Sequence, residues 1–298
     1  MQATFIGGLV SVATYALVAV GFSLIFSVTK AFHFAHAVVY VLAGYVAYSV
    51  VAPLGVWAAS VVGVAAAAAT AAVIELVVYA RMRRRRASHF TILIASLGLQ
   101  YLILGVVGAI WGTYPLVLAN PFVNLAPVHL GGFTFAWLDV FTVALAAVLL
   151  AVFLAWLYGT RAGSALLAVA ENPAMAEALG ISLPRARLTA MVVGTALSAP
   201  AAILGGFYQS LSPGMGATPL FIGFAAVLVG GAGSIAATLL GVTVLEFVSA
   251  FAGYWLPGQW SLAITFGVVL AFMLWRPRGL LSSRRRATAF VGQLAGAA

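Results

Sequence analysis

Nine stretches of this chain are runs of apolar residues: near 5–28, 34–51, 55–80, 91–111, 137–158, 188–208, 218–232, 235–252 and 259–275. A bilayer core about 30 Å thick needs about 20 apolar residues per helix. Inside it each backbone N–H and C=O must be satisfied within the segment, so the runs are expected to be helical. Several are short or carry Gly and Pro. The expectation is an all-α polytopic membrane protein with about eight to ten transmembrane helices, some broken or re-entrant. Only 6% of the residues are charged and 64% are apolar, against about 25% and 45–50% in soluble domains. A surface so poor in charge excludes a soluble enzyme, a disordered chain and a collagen-like fibre. The absence of cysteine excludes disulfides, thiol catalysis, Cys-ligated zinc and iron–sulfur clusters.

The net charge of +9 raises the question of nucleic acid, and the placement of the charges answers against it. The basic residues form four groups: Lys30; Arg81, Arg83, Arg84, Arg85 and Arg86; Arg161, Arg185 and Arg187; and Arg276, Arg278, Arg284, Arg285 and Arg286. Segments 112–135, 209–217 and 253–258 contain no Lys or Arg. The positive-inside rule puts the four groups in the cytoplasm and the three uncharged segments outside. An even number of spans separates each basic group from the next, as this orientation demands. Met1 is then outside and the basic tail 276–298 cytoplasmic. Trp111, Tyr114, Trp137, Tyr254, Trp255 and Trp260 form an expected interfacial belt at the outer ends. The Arg run 81–86 reads as a topological anchor drawn to anionic lipid.

The chemistry that is missing narrows the function further. A P-loop requires Gly-x-x-x-x-Gly-Lys-Ser/Thr, but the single lysine, Lys30, follows Ser27-Val28-Thr29 and precedes Ala31. ATP hydrolysis therefore belongs to another chain. His33 and His36 are three apart, the spacing of one helix face, but two ligands without a third make a poor metal site. Asp139 and Glu75 lie near span ends, where a carboxylate reaches the interface. Glu246 lies well inside 235–252. A charge there costs about 2.5–3.5 kcal/mol, so it is expected to face a cavity or partner helix, or to be protonated. Glu246 and His36 are a thin supply for a proton-coupled secondary transporter, the main alternative. An intramembrane enzyme lacks a Ser–His pair, paired aspartates or a metal triad, and a simple channel gives the long cytoplasmic loop no purpose.

That loop, 159–187, is patterned. Thr160 to Ala170 is rich in Ala and Leu and reads as a short helix. Pro173 disfavours the α region for the residue before it, so the helix should break at Asn172. Asn172 is a good N-cap and Pro173 suits the first helical position, opening a second helix from Pro173 to Leu179. Gly180 sits where a C′ glycine ends it. Met175 and Leu179 share a face, and a helix this short must dock on something to persist. Its own membrane domain and a groove on a soluble partner are equally good hosts on these grounds.

Two further segments look interrupted. His33 to Tyr40 opens the second span with polar rings at membrane depth, as a helix that starts late beside a cavity would. Gly230-Gly231-Ala232-Gly233-Ser234 places three glycines within four residues, costing about 1 kcal/mol each inside a helix. Broken helices in both halves of a chain point to a substrate path in transporters; close small-residue packing is the plainer alternative. Tyr208 to Gly216 is a polar turn suited to an entrance.

Taken together these segments resemble the permease subunits of bacterial ABC importers for branched-chain amino acids, of the LivH type. Phe34-Ala35-His36 with Tyr40 and Gly44 resembles the family's Asn-Phe-Ala-His-Gly segment. Arg161 to Ile181 is similar to its cytoplasmic coupling loop, Gly230 to Ser234 with Gly241 to its late glycine block, and Arg276-Pro277-Arg278-Gly279-Leu280 to its basic C-terminal signature. His33, Ala37 and Val38 depart from the pattern. They leave the cargo open between branched-chain amino acids and small polar solutes such as amides and urea.

The resemblance implies a single transmembrane permease domain over 1–298 in a bacterial inner membrane, working by alternating access. It implies a second, related permease, two cytoplasmic ATP-binding subunits that carry the ATP and Mg, and a periplasmic binding protein at the uncharged outer segments. No cofactor belongs to this chain itself. Coupling to the ATPases would fall on Glu171, Asn172, Pro173, Met175, Ala176, Leu179 and Gly180, which favours the partner groove as host of the short helix. The translocation path would involve Phe34, His36, Tyr40, Gly44, Gly230, Gly231, Gly233 and Ser234.

Overall fold

The computed structural model describes residues 1–130, 133–230, 234–255 and 260–275. Gly231 and Gly233 of the glycine block and the basic tail 276–298 lie outside these residues. The chain is almost entirely helical: α1 (Gln2–Thr29), α2 (His36–Val73) continued by a π-helical turn (Ile74–Tyr79) and α3 (Ala80–Arg84), α4 (His89–Trp111), α5 (Trp137–Gly159), α6 (Arg161–Glu171), α7 (Pro173–Ala178), α8 (Leu183–Tyr208), α9 (Ala217–Gly230), α10 (Ile235–Trp255) and α11 (Ser261–Trp275). The described sheet is one antiparallel pair, β1 (Val128–Leu130) and β2 (Phe133–Phe135), with His129 opposite Thr134.

Among the described residues six helical segments are long and apolar enough to cross a bilayer, and His36–Arg84 is one of them at 49 residues. That segment is not one rod. Pro53 removes a helical donor, and Gly55 takes φ 74°, ψ 166°, a conformation that only glycine adopts without strain. A β-carbon built on Gly63 would lie 2.2 Å from the carbonyl oxygen of Ala43. In a straight helix residues 43 and 63 would be about 30 Å apart. The helix therefore doubles back at Gly55, and residues 36–54 and 55–84 make two passes, as the separate apolar runs 34–51 and 55–80 foretold. With the shorter α9 and α11, a helix occupies most of the described residues of each of the nine apolar stretches.

Helix pairs in lipid gain little from apolarity, because the tails are as apolar as the core; close backbone approach takes its place. The centre of the molecule is the crossing of α1 and α8. A β-carbon at Gly21 would meet the Gly194 carbonyl oxygen at 2.3 Å. Around it α9 and α10 pack on α1, whose second half encloses Leu17, Val18, Ala19, Val20 and Ile25 fully, and α2 packs on α8. By contrast α4 and the outward faces of α2 and α5 expose Ile94, Tyr101, Leu102, Val61, Val148 and Val152, an apolar belt suited to lipid or a neighbouring helix.

The basic groups within the described residues collect at one end of the bundle. Lys30 reaches α6 there, and Arg83 pairs with Glu75. At the other, uncharged end, Trp137, Trp255, Trp260, Tyr114 and Tyr254 are exposed, as an interfacial belt should be. The loops at that end are tied by reciprocal backbone hydrogen bonds between Leu116 and Leu211, 3.0 and 2.6 Å.

Candidate functional site: a cavity at the uncharged end and the loop at the basic end

The segment between α1 and α2 does not stay at the membrane surface. His36, the first residue of α2, hydrogen-bonds through Nε2 to Ser198 Oγ at 3.0 Å. Ser198 Oγ in turn lies 3.3 Å from the Leu17 carbonyl, near the middle of α1. Residues 30–35 therefore turn back into the bundle alongside α1, and α2 starts at mid-depth. The sequence expectation of a late-starting second helix holds, but its geometry differs in one respect. His33 lies in the non-helical segment rather than on a shared helix face with His36, and bonds through Nδ1 to Tyr79 OH at 2.7 Å. Helix α9 also starts at depth: a β-carbon on Gly216 would meet the Ala37 carbonyl oxygen at 2.0 Å. Two helix N-termini thus meet inside the bundle.

Above that meeting point, a cavity of about 500 Å³ opens toward the uncharged end. Its walls are the first half of α1, through Ile6, Val10, Ser11 and Thr14, and the last turns of α8, through Ala201, Gly205 and Tyr208. Tyr15, Tyr40, Met215 and Pro219 line its inner part, and Thr134, Asp139 and Gln209 its mouth. The lining includes no Lys, Arg or His, and its single ionisable carboxylate is Asp139. Asp139 accepts from Tyr208 OH at 2.9 Å and from the Ala136 N–H at 3.0 Å, which fixes it at the first turn of α5. The sequence treated Asp139 as an interfacial residue; only the fold shows that α5 delivers it to a cavity.

Below the cavity lies an aromatic cluster. Phe26 and Phe32 stack at 4.7 Å, and Phe224 meets Phe32 edge-on at 5.2 Å. Phe22 completes the group, 6.3 Å from Phe26 and 6.4 Å from Phe224. It draws on α1, the re-entrant segment and α9.

Of the path residues expected from sequence, Tyr40 lines the cavity, and His36 is fully buried just below it. Phe34 packs beside the aromatic cluster. Gly44 faces the Leu211 side chain and serves packing beneath the outer loops. Gly230 closes α9 and Ser234 precedes α10, accepting from the Ala237 N–H at 3.3 Å. Glu246 is buried, with Oε1 unpaired among the described residues, and does not line the cavity.

Glu75 corrects an expectation. It does not reach the interface but is 1% exposed and ion-paired with Arg83. Eight residues are 2.2 turns of α-helix, about 80° off a common face. The π-helical turn between them, with more residues per turn, brings the two side chains into line.

At the basic end, the loop 159–187 folds as its sequence specifies. Helix α6 ends at Glu171, and the Asn172 side chain accepts from the Met175 N–H at 3.1 Å to cap α7. Helix α7 stops at Ala178, one residue short of the expected Leu179. Gly180 follows at φ 85°, with the Ile181 N–H on the Ala176 carbonyl and the Gly180 N–H on the Glu177 carbonyl. This is the paired bonding of a glycine helix stop. Ala176 is buried against the bundle, while Met175 is 58% and Leu179 73% exposed. The membrane domain in this structure therefore covers one face of α7 and leaves its two large apolar side chains open.

Comparison with known proteins places this architecture. The chain is 29% identical over 289 residues to the high-affinity branched-chain amino acid transport system permease protein LivH of Escherichia coli K12, covering 90% of this chain and 91% of that one. It is 27% identical over 291 residues to the permease protein BraD of the equivalent system in Pseudomonas aeruginosa, covering 93% and 94%. A solved structure, PsaBC from Streptococcus pneumoniae in complex with Fab, shares the fold with a TM-score of 0.50 at 16% identity over 90% of each chain. Residues 4–273 match the family model described as branched-chain amino acid transport system, permease component. With that match over nearly its whole length, the chain belongs to the branched-chain amino acid transport permease family and is a multi-pass membrane subunit of an ABC importer, not an enzyme.

Proposed function

We propose that the chain conducts branched-chain amino acids, or small amides of similar size, from the uncharged outer end to a cytoplasmic basic end. The observation that carries this reading is the cavity that opens outward and ends above the Phe22, Phe26, Phe32 and Phe224 cluster. It is the outward-open half of an alternating-access cycle. Ile6 and Val10 on its α1 wall suit a branched side chain. Asp139 gives an ammonium group a partner at the mouth, and the hydroxyls of Ser11, Tyr15 and Tyr40 offer donors to a carboxylate.

The motor is supplied from outside. Two ATP-binding subunits, with their ATP and Mg, dock at the basic end, and the exposed Met175 and Leu179 of α7 enter a groove on one of them. A second, homologous permease completes the membrane pair, and a periplasmic binding protein docks on the uncharged loops. Closure of the ATPases moves α7, and the spans rock to open the floor. The experiment is Leu179→Asp in the full complex. The substitution is expected to abolish substrate-stimulated ATP hydrolysis and uptake while membrane insertion stays normal. Normal uptake would refute the assignment of α7.

A further inference from the structure

Lys30 is the one lysine in the chain and ends α1 in the left-handed region, at φ 55° and ψ 19°. That conformation is unfavourable for a residue with a β-carbon, so its surroundings hold it there. Its N–H returns to the Phe26 carbonyl at 2.8 Å. Its ammonium group crosses to α6 and donates to the Ala170 carbonyl at 2.6 Å. Ala170 is in the last turn of α6, where carbonyls have no partner within the helix and a cation complements the helix dipole. Two residues later Asn172 caps α7. One side chain thus joins the end of α1 to the arm that carries α7.

The residues after Lys30 are the re-entrant segment, and the opposite side of that segment is fastened to other elements. Ser96 of α4 donates through Oγ to the Phe32 carbonyl at 3.1 Å and accepts from the Phe34 N–H at 3.2 Å. His33 bonds Tyr79 of the π-helical turn. Phe32, between these anchors and Lys30, carries the ring that meets Phe26 and Phe224 beneath the cavity.

We infer that Lys30 is a positioning residue that transmits displacement of α6 and α7 to Phe32, drawing the re-entrant segment so that the aromatic floor opens. The inference rests on the reading of α7 as the docking helix. It assigns the link between motor and gate to the Lys30–Ala170 contact.

The test is substrate moved per ATP hydrolysed by the full complex in proteoliposomes. Lys30→Gly keeps the left-handed conformation without cost and removes the ammonium group. It is expected to leave assembly and ATP hydrolysis in place and to lower the ratio about fivefold or more. Lys30→Arg, which keeps the cation, is expected to retain most of it. Lys30→Asn, also tolerant of the left-handed region, repeats the loss should glycine loosen the end of α1. A wild-type ratio in both Lys30→Gly and Lys30→Asn, with substrate-stimulated hydrolysis and uptake lost in Leu179→Asp, overturns the link and leaves the docking of α7 standing. Normal hydrolysis and uptake in Leu179→Asp overturn the docking reading and the link with it. Because the chain has no cysteine, Phe32→Cys adds a direct readout of the floor. Its maleimide labelling should rise with ATP when Lys30 is present and stay flat in Lys30→Gly; an equal rise in both contradicts the inference.

Discussion

Gly21→Ala tests the crossing on which the cavity floor is built. A β-carbon there would lie 2.2 Å from Ser198 Oγ and 2.3 Å from the Gly194 carbonyl oxygen. The Gly194 contact is backbone, so no side chain can rotate away, and α1 and α8 must part by about 1 Å to reach ordinary contact. Overpacking of this kind costs about 1–3 kcal/mol. The same β-carbon displaces Ser198 Oγ from its bonds to His36 at 3.0 Å and to the Leu17 carbonyl at 3.3 Å. Losing one buried hydrogen bond with its partner left unsatisfied adds about 1–3 kcal/mol. The expected loss is about 2–6 kcal/mol. Gly7→Ala in the same helix is the control, since a β-carbon there meets nothing within 4 Å and alanine gains up to about 1 kcal/mol of helix propensity. The assay is the unfolding midpoint of the purified permease in detergent titrated with sodium dodecyl sulfate. Equal midpoints for the two variants would refute the proposed interlock of α1, α8 and the start of α2.

Arg83→Met should destabilise the permease by about 2–4 kcal/mol, because it leaves the buried Glu75 without its cation. Glu75→Gln added to it should recover most of the loss, and strictly additive losses in the double-mutant cycle would contradict a pair acting as a unit. Asp139→Asn keeps its oxygen as acceptor for the Ala136 N–H that caps α5, turns its amide N–H group to the Tyr208 oxygen as a donor, and removes the one charge lining the cavity. It should raise KM for zwitterionic leucine about fivefold, equivalent to roughly 1 kcal/mol, with uptake of neutral amides unchanged. An equal effect on both solutes would remove Asp139 from recognition.

The order and number of helical stretches were legible in the sequence because hydropathy alone marks what crosses a bilayer. The two passes that meet at Gly55 were legible too, as the separate apolar runs 34–51 and 55–80. So was the Asn172–Gly180 unit, since its caps are local: the residues that start and stop α7 bond within five positions of one another. What faces what was much harder to read. A soluble helix announces its packed side by a polar opposite side, but here lipid is as apolar as the interior. The side of α1 that lines the cavity therefore differs little in polarity from the side against α10. Asp139 and Glu75 were both read as interfacial from their distance to a span end. One was redirected by the start of α5 and Tyr208, the other by a π-helical turn, and neither device leaves a mark in hydropathy. The aromatic floor joins Phe22, Phe32 and Phe224 from segments far apart in sequence, so only the fold could assemble it.

The chain is proposed as a conduit driven by a motor on other chains. Leucine uptake into proteoliposomes tests this most directly, comparing the permease alone with the permease joined to its partner permease, ATP-binding subunits and binding protein. Uptake is expected only from the complete assembly, only with hydrolysable ATP, and unchanged when an uncoupler collapses the proton gradient. Accumulation of leucine by the isolated chain, or its loss on adding the uncoupler, would contradict the account.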